Sequence, residues 1–146
     1  MFINHILILV PRALALLNQI SILVAEDQPF IALDLALAVE DARGKVVGPA
    51  ASSEEALALL ANATIDGAII DVNLLDRDCS ELVEALVGRD LPFIVHTALE
   101  LPETLSSRFS GLIVQLKPYP APALVARLAL LIASHGRNGA SSAAIP

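Results

Sequence analysis

Five side chains of this 146-residue chain sit where short apolar runs end. Glu26 and Asp27 follow Ile22-Leu23-Val24-Ala25, and Asp71 follows Ala68-Ile69-Ile70. Thr97 follows Phe93-Ile94-Val95-His96, and Lys117 follows Leu112-Ile113-Val114-Gln115-Leu116. As parallel strands, these runs would bring their carboxyl ends to one edge of a sheet, the edge at which open α/β sheets bind ligands. Three carboxylates, a hydroxyl and an ammonium would then converge. Clustered carboxylates raise one another's pKa unless a cation sits among them, and hard oxygen donors with room for water suit Mg²⁺. A carboxylate is also a nucleophile towards phosphorus, and a transferring phosphoryl group needs its oxygens neutralised. The metal, Lys117 and Thr97 could share that work. Any one of these residues could equally be a loop cap facing water; the whole set at one edge argues for a site.

The elements that must position them are legible. The five runs, with Lys45-Val46-Val47 as the second of the sheet, are nearly continuous in apolar residues, as strands covered on both faces should be. They lie about 20 to 25 residues apart, enough for a crossover helix between each pair. Pro29 to Arg43 carries Ile31, Leu35, Ala38 and Ala42 at helical spacing, with Gly44 placed to end it. Ser52-x-x-Glu55 reads as a capping box, and Asp78-x-x-Glu81 as a similar start ahead of Leu82, Val83, Ala85 and Leu86. A short helix is expected over Pro102 to Phe109, and a last one from Pro120–Pro122 through Leu124, Leu128 and Leu131. The pattern is (βα)5: a three-layer α/β sandwich on a parallel sheet. Residues 20–134 make up this domain. Residues 1–19 are an apolar N-terminal extension, either an extra strand and helix or an arm, and a candidate homodimer or partner surface. Residues 135–146 are small and polar and read as a disordered tail.

Composition narrows the function classes. Hydrophobic residues make up 55% and charged residues 17%, against about 25% charged in a typical domain. The net charge of -7, with 3% aromatics and no Trp, argues against nucleic acid, which needs a basic face and stacking platforms. The apolar stretch from Phe2 to Val24 contains Asn4, His5, Pro11, Arg12, Asn18 and Gln19, too many polar groups for a membrane span. One cysteine, Cys79, makes no internal disulfide, and without a partner it reads as a small packed side chain. The three histidines, His5, His96 and His135, form no ligand set with it, so zinc has no support. His96 reads as a packed or rim group beside Thr97, and Asp76 and Asp78 as caps and solvated surface. Glycine-rich dinucleotide and nucleotide loops and a serine elbow are all missing.

The stretches Ile22-Leu23-Val24-Ala25-Glu26-Asp27, Ala68-Ile69-Ile70-Asp71-Val72-Asn73-Leu74, His96-Thr97-Ala98 and Lys117-Pro118, in this order, resemble the receiver domains of two-component response regulators. The resemblance runs from about Ile20 to Ile132. Val47-Gly48-Pro49-Ala50, Asp71-Val72-Asn73-Leu74 and Pro92-Phe93 are similar to the stand-alone receivers of alphaproteobacteria. It implies a flavodoxin-like sheet of order 2-1-3-4-5. It implies Asp71 as phosphoacceptor, taking its phosphoryl group from a sensor histidine kinase or a histidine phosphotransfer protein. Asp27, Glu26 and Asp71 would hold Mg²⁺ with the backbone carbonyl of Asn73. Thr97 would bond a phosphoryl oxygen, and Lys117, before a cis X-Pro bond, would pair with its charge. The expected protein is cytoplasmic and signals to a downstream protein by contact, with no enzymatic output beyond its own dephosphorylation.

Two places depart from the family. Val114 stands where an aromatic usually couples to the threonine, and His96 and Leu99-Glu100 differ from the Phe-Ala-Thr-Gly of the stand-alone type. The rival reading is therefore a phosphorylation-independent pseudo-receiver that acts as an interaction module. A small hydrolase working through an aspartyl-phosphate would need a cap domain, for which the chain has no room.

Overall fold

The computed structural model describes residues 15–144; the expectations for the first fourteen residues lie outside this range. Five strands, β1 (Ser21–Ala25), β2 (Lys45–Ala50), β3 (Gly67–Ile70), β4 (Phe93–Thr97) and β5 (Val114–Leu116), form one sheet. All neighbours are parallel and the order is β2-β1-β3-β4-β5, as expected for a flavodoxin-like fold. The connecting helices are α1 (Pro29–Asp41), α2 (Ser53–Asn62), α3 (Ser80–Gly88), α4 (Glu103–Arg108) and α5 (Ala121–Ala144).

The period of two along each strand divides the core into two halves. Leu23, Ala25, Ala68, Ile70 and Val95 face one way, against Ala56 and Leu60 of α2, Leu82, Val83 and Leu86 of α3, and Leu105 of α4. Ile22, Val24, Ile69 and Ile94 face the other way, against Leu35 and Val39 of α1 and Leu124, Val125 and Leu128 of α5. Both faces of the central strands are thus buried, which is why those runs carry no polar alternation.

The ends of elements differ from the sequence expectation in instructive ways. Gly44 does not take the left-handed turn that ends α1; Arg43 does, with φ 65°. The Arg43 N–H donates to the Glu40 carbonyl and the Gly44 N–H to that of Val39, both at 2.9 Å, the paired bonds of a Schellman stop. Gly44 is required for a different reason: a Cβ there would lie 2.8 Å from Leu17 Cδ1 and 2.9 Å from Val39 Cγ1. Leu17 itself is fully buried in the α1/α5 half of the core, and its N–H donates to the Ala42 carbonyl at 3.0 Å. The packed unit therefore starts before residue 20.

Ser52 caps α2 as expected, accepting from the Glu55 N–H at 3.0 Å, while the Glu55 carboxylate accepts from Ala51 N–H at 3.3 Å. The α3 start is shifted: Asp78 accepts from the Ser80 N–H at 2.9 Å, and Glu81 pairs with Arg77 at 3.1 Å instead of closing a box. β5 begins at Val114, two residues later than the apolar run suggests. α5 runs to Ala144.

Candidate functional site at the carboxyl edge of the sheet

The backbone ladder runs one residue beyond β1, β3 and β5 and fixes the site. Glu26 N–H donates to the Ala50 carbonyl at 2.9 Å, Asp71 N–H to Ala25 at 2.9 Å, and Lys117 N–H to Thr97 at 2.7 Å. Glu26, Asp71 and Lys117 thus leave the sheet from positions whose main chain is still held by a neighbouring strand. Such support is stiffer than that of a free loop.

The carboxylates of Glu26, Asp27 and Asp71 converge, with one oxygen from each lying within 4.8 Å of the others. Glu26 and Asp71 are buried, and Asp27 is half-buried. Lys117 Nζ donates to Glu26 Oε1 at 2.8 Å and to Asp71 Oδ2 at 3.2 Å. The second oxygen of Glu26 accepts from the Gln28 N–H at 3.1 Å. Burial pushes the Glu26 carboxyl up to about 7, against the opposing pull of Lys117 and of the Gln28 N–H. Burial alone would lower the Lys117 ammonium, but the Glu26 and Asp71 carboxylates outweigh it and hold the pKa above its ordinary value. Three carboxylates against one ammonium leave an excess of negative charge in a partly dry pocket. The donors are all oxygens, so the set fits a hard divalent cation such as Mg²⁺.

Thr97 is buried, and its hydroxyl accepts from the Leu99 N–H at 3.3 Å. It joins the group through the Thr97–Lys117 backbone bond rather than through its side chain. Asn73 lies two residues beyond Asp71 on the exposed β3–α3 loop, bridged to Asp78. The Lys117–Pro118 peptide is cis as the resemblance implies; Gly48–Pro49 is a second cis bond that the sequence reading does not anticipate. Val114, at the position of the usual aromatic, pairs with Val95 and packs into the α2/α3/α4 half of the core.

One residue, Asp76, has a role that sequence spacing hides. Asp76, expected as a cap or solvated surface ahead of the next helix, caps α2: its carboxylate accepts from Ser53 N–H at 2.7 Å and Glu54 N–H at 3.0 Å. Those bonds outweigh desolvation and hold its pKa below the ordinary value. The loop that carries Asn73 is thereby tied to a neighbouring helix. Burial pushes the Cys79 thiol up to about 12, with Asp78 adding to the shift, so it is an inert packed group as expected.

No protein-family profile matches the chain, and no curated sequence relative does so either. Solved structures do. A CheY-like response regulator receiver domain protein from Methanospirillum hungatei superposes with a TM-score of 0.74 at 22% identity, over 82% of this chain and 98% of that one. A response regulator receiver protein from Sinorhizobium medicae gives a TM-score of 0.70 at 22% identity, over 82% and 98%. The response regulator PhyR from Brucella abortus gives 0.67 at 26% identity over 87% of this chain, which spans only 54% of PhyR. Among the described residues, no helix is long and apolar enough to cross a membrane. The strand order and these likenesses show that the chain has the fold of response regulator receiver domains.

Proposed function

We propose that the chain is a single-domain response regulator that accepts a phosphoryl group on Asp71 from a histidine kinase or a histidine phosphotransfer protein. The observation that carries this reading is the single cluster of Asp71, Glu26, Asp27 and Lys117 at the carboxyl edge. Glu26, Asp27 and Asp71, with the Asn73 carbonyl, would hold Mg²⁺. When bound, the metal supplies positive charge against the phosphoryl oxygens and the acidic side chains.

An Asp71 carboxylate oxygen attacks phosphorus, the O–P bond forms, and the P–N bond to the donor imidazole breaks. Lys117 already lies 3.2 Å from Asp71, placed to pair with the charge the phosphoryl group brings. Thr97 turns its hydroxyl from the Leu99 N–H towards a phosphoryl oxygen. Water later attacks the same phosphorus and returns Asp71. The protein acts through contact with a downstream protein in a phosphorelay, in the cytoplasm, and not through an enzymatic output. An apolar strip on α1, Phe30, Leu33 and Leu37, begins three residues after Asp27 and offers a docking face beside the site.

Incubation with acetyl phosphate and Mg²⁺ tests the reading by intact mass. A gain of about 80 Da is expected in the wild type and not in Asp71→Asn. No gain, or one that survives the substitution, would sink it. Val114 favours the second reading, a pseudo-receiver; no binding of Mg²⁺ at millimolar concentration would select that one.

A further inference from the structure

His96 is the one residue of the β4 end that the acidic site does not use. Alternation along the strand sends Thr97 to one face of the sheet and His96 to the other, towards α1 and α5. The imidazole is only 4% exposed, and neither Nδ1 nor Nε2 has a hydrogen-bond partner. It lines a cavity of about 220 Å³ whose apolar walls include Ile31 and Leu35 of α1, with Tyr119 and Ala121 at the start of α5. Asp34, exposed on α1, and Lys117 also belong to the lining.

These groups define what can fill the space. Asp34 in the lining repels an anion. Lys117, also in the lining, disfavours positive charge beside the imidazole, and its own bonds go to Glu26 and Asp71. A neutral occupant remains. A neutral imidazole carries one N–H and one bare nitrogen, so a hydroxyl or N–H on that occupant can satisfy it. The apolar walls ask for a compact hydrocarbon body. An apolar cavity of about 150 Å³ is enough for benzene, so this one is large enough for a single substituted ring.

We propose that the cavity between α1 and α5 is a binding site for a neutral single-ring compound of phenol type, its hydroxyl hydrogen-bonded to His96. The same chemistry could arrive as a free small molecule or as the tyrosine side chain of a docked protein. The cavity shares Lys117 with the phosphoryl edge, but the proposed binding needs no phosphoryl group on Asp71.

The experiment follows the ring-nitrogen resonances of His96 in the full chain by long-range ¹H–¹⁵N NMR during titration with p-cresol. Toluene, which lacks the hydroxyl, is the control. Saturable binding of p-cresol is expected, about tenfold tighter than toluene, with the largest shift at a His96 nitrogen. His96→Phe should abolish the preference for p-cresol, followed on Tyr119 and Ala121 resonances. N-acetyltyrosinamide separates the sources: its exclusion marks a free small ligand, and its binding shows that a protein tyrosine fits. No saturable response, or equal affinity for p-cresol and toluene, overturns the proposal; a cavity holding only water gives that result. The comparison of the two probes on wild type carries the test even where the variant does not fold.

Discussion

Lys117 and Glu26, 91 residues apart in the chain, meet at 2.8 Å across the carboxyl edge, with the Glu26 side chain 1% exposed. Each is the other's main compensation for burial, and Asp71 is the third member of the pair's network. Removing the cation strands two buried carboxylates. Lys117→Met is expected to cost about 3 kcal/mol in metal-free buffer at pH 8, since breaking a buried pair leaves an uncompensated charge. The loss should shrink at pH 6, where Glu26 takes up a proton. Urea unfolding of both proteins at the two pH values checks this, and a pH-independent loss would argue that Lys117 contributes mainly by packing.

Asp76 joins the β3–α3 loop to the start of α2 through two backbone N–H groups. Asp76→Ala should lower the urea midpoint with no change in slope, and Asp76→Asn should recover part of the loss, since an amide oxygen also accepts. Hydrogen exchange at Ser53 and Glu54 should quicken in the alanine variant. Unchanged exchange at both positions would show that Ser52 alone caps the helix.

Burial holds the His96 imidazole below its ordinary pKa, with Lys117 adding to the effect and Asp71 opposing it. The unfolded chain therefore binds this proton more readily than the folded one, and stability falls as pH drops through and below about 6.5. His96→Phe removes that contribution. Glu26, raised to about 7, titrates nearby with the opposite sign: the folded state holds its proton more tightly, so stability falls as pH rises towards 7. The quantity to measure is thus the difference between variant and wild type at each pH. That difference should move in the variant's favour between pH 6.5 and pH 5; a flat difference would show the ring to be paired in solution.

Arg43 occupies the left-handed turn after α1 with φ 65°, a conformation that disfavours a residue with a Cβ. Arg43→Gly is expected to stabilise the protein by about 1 kcal/mol, less the extra freedom glycine gives the unfolded chain. Thermal melting reads the gain. A loss would mean that the arginine side chain contributes something the backbone geometry does not reveal.

Leu16 and Leu17 are neighbours with opposite roles. Leu17 is fully buried beside Gly44, whereas Leu16 is 47% exposed. Leu17→Ala should cost about 3 kcal/mol, in the range of buried leucine truncations. Leu16→Ala should cost well under 1 kcal/mol, as for surface positions. Equal effects would place the start of the packed unit elsewhere.

The strands, their covered faces and the identity of the edge residues were readable from sequence because those signals are local. A run such as Ile22–Ala25 is apolar throughout only when both faces are buried, and the residue after it must then lie at the carboxyl edge. Ser52 and Glu55 likewise carry their cap within four residues. What the tertiary structure alone decided is cross-element. Asp76 caps a helix more than twenty residues earlier, Leu17 fills the space that Gly44 leaves, and His96 meets a cavity between two helices that never adjoin it in sequence. Residue types announce that a carboxylate can cap or an imidazole can pair; only the packing of distant segments determines which partner lies within 3 Å, or that there is none.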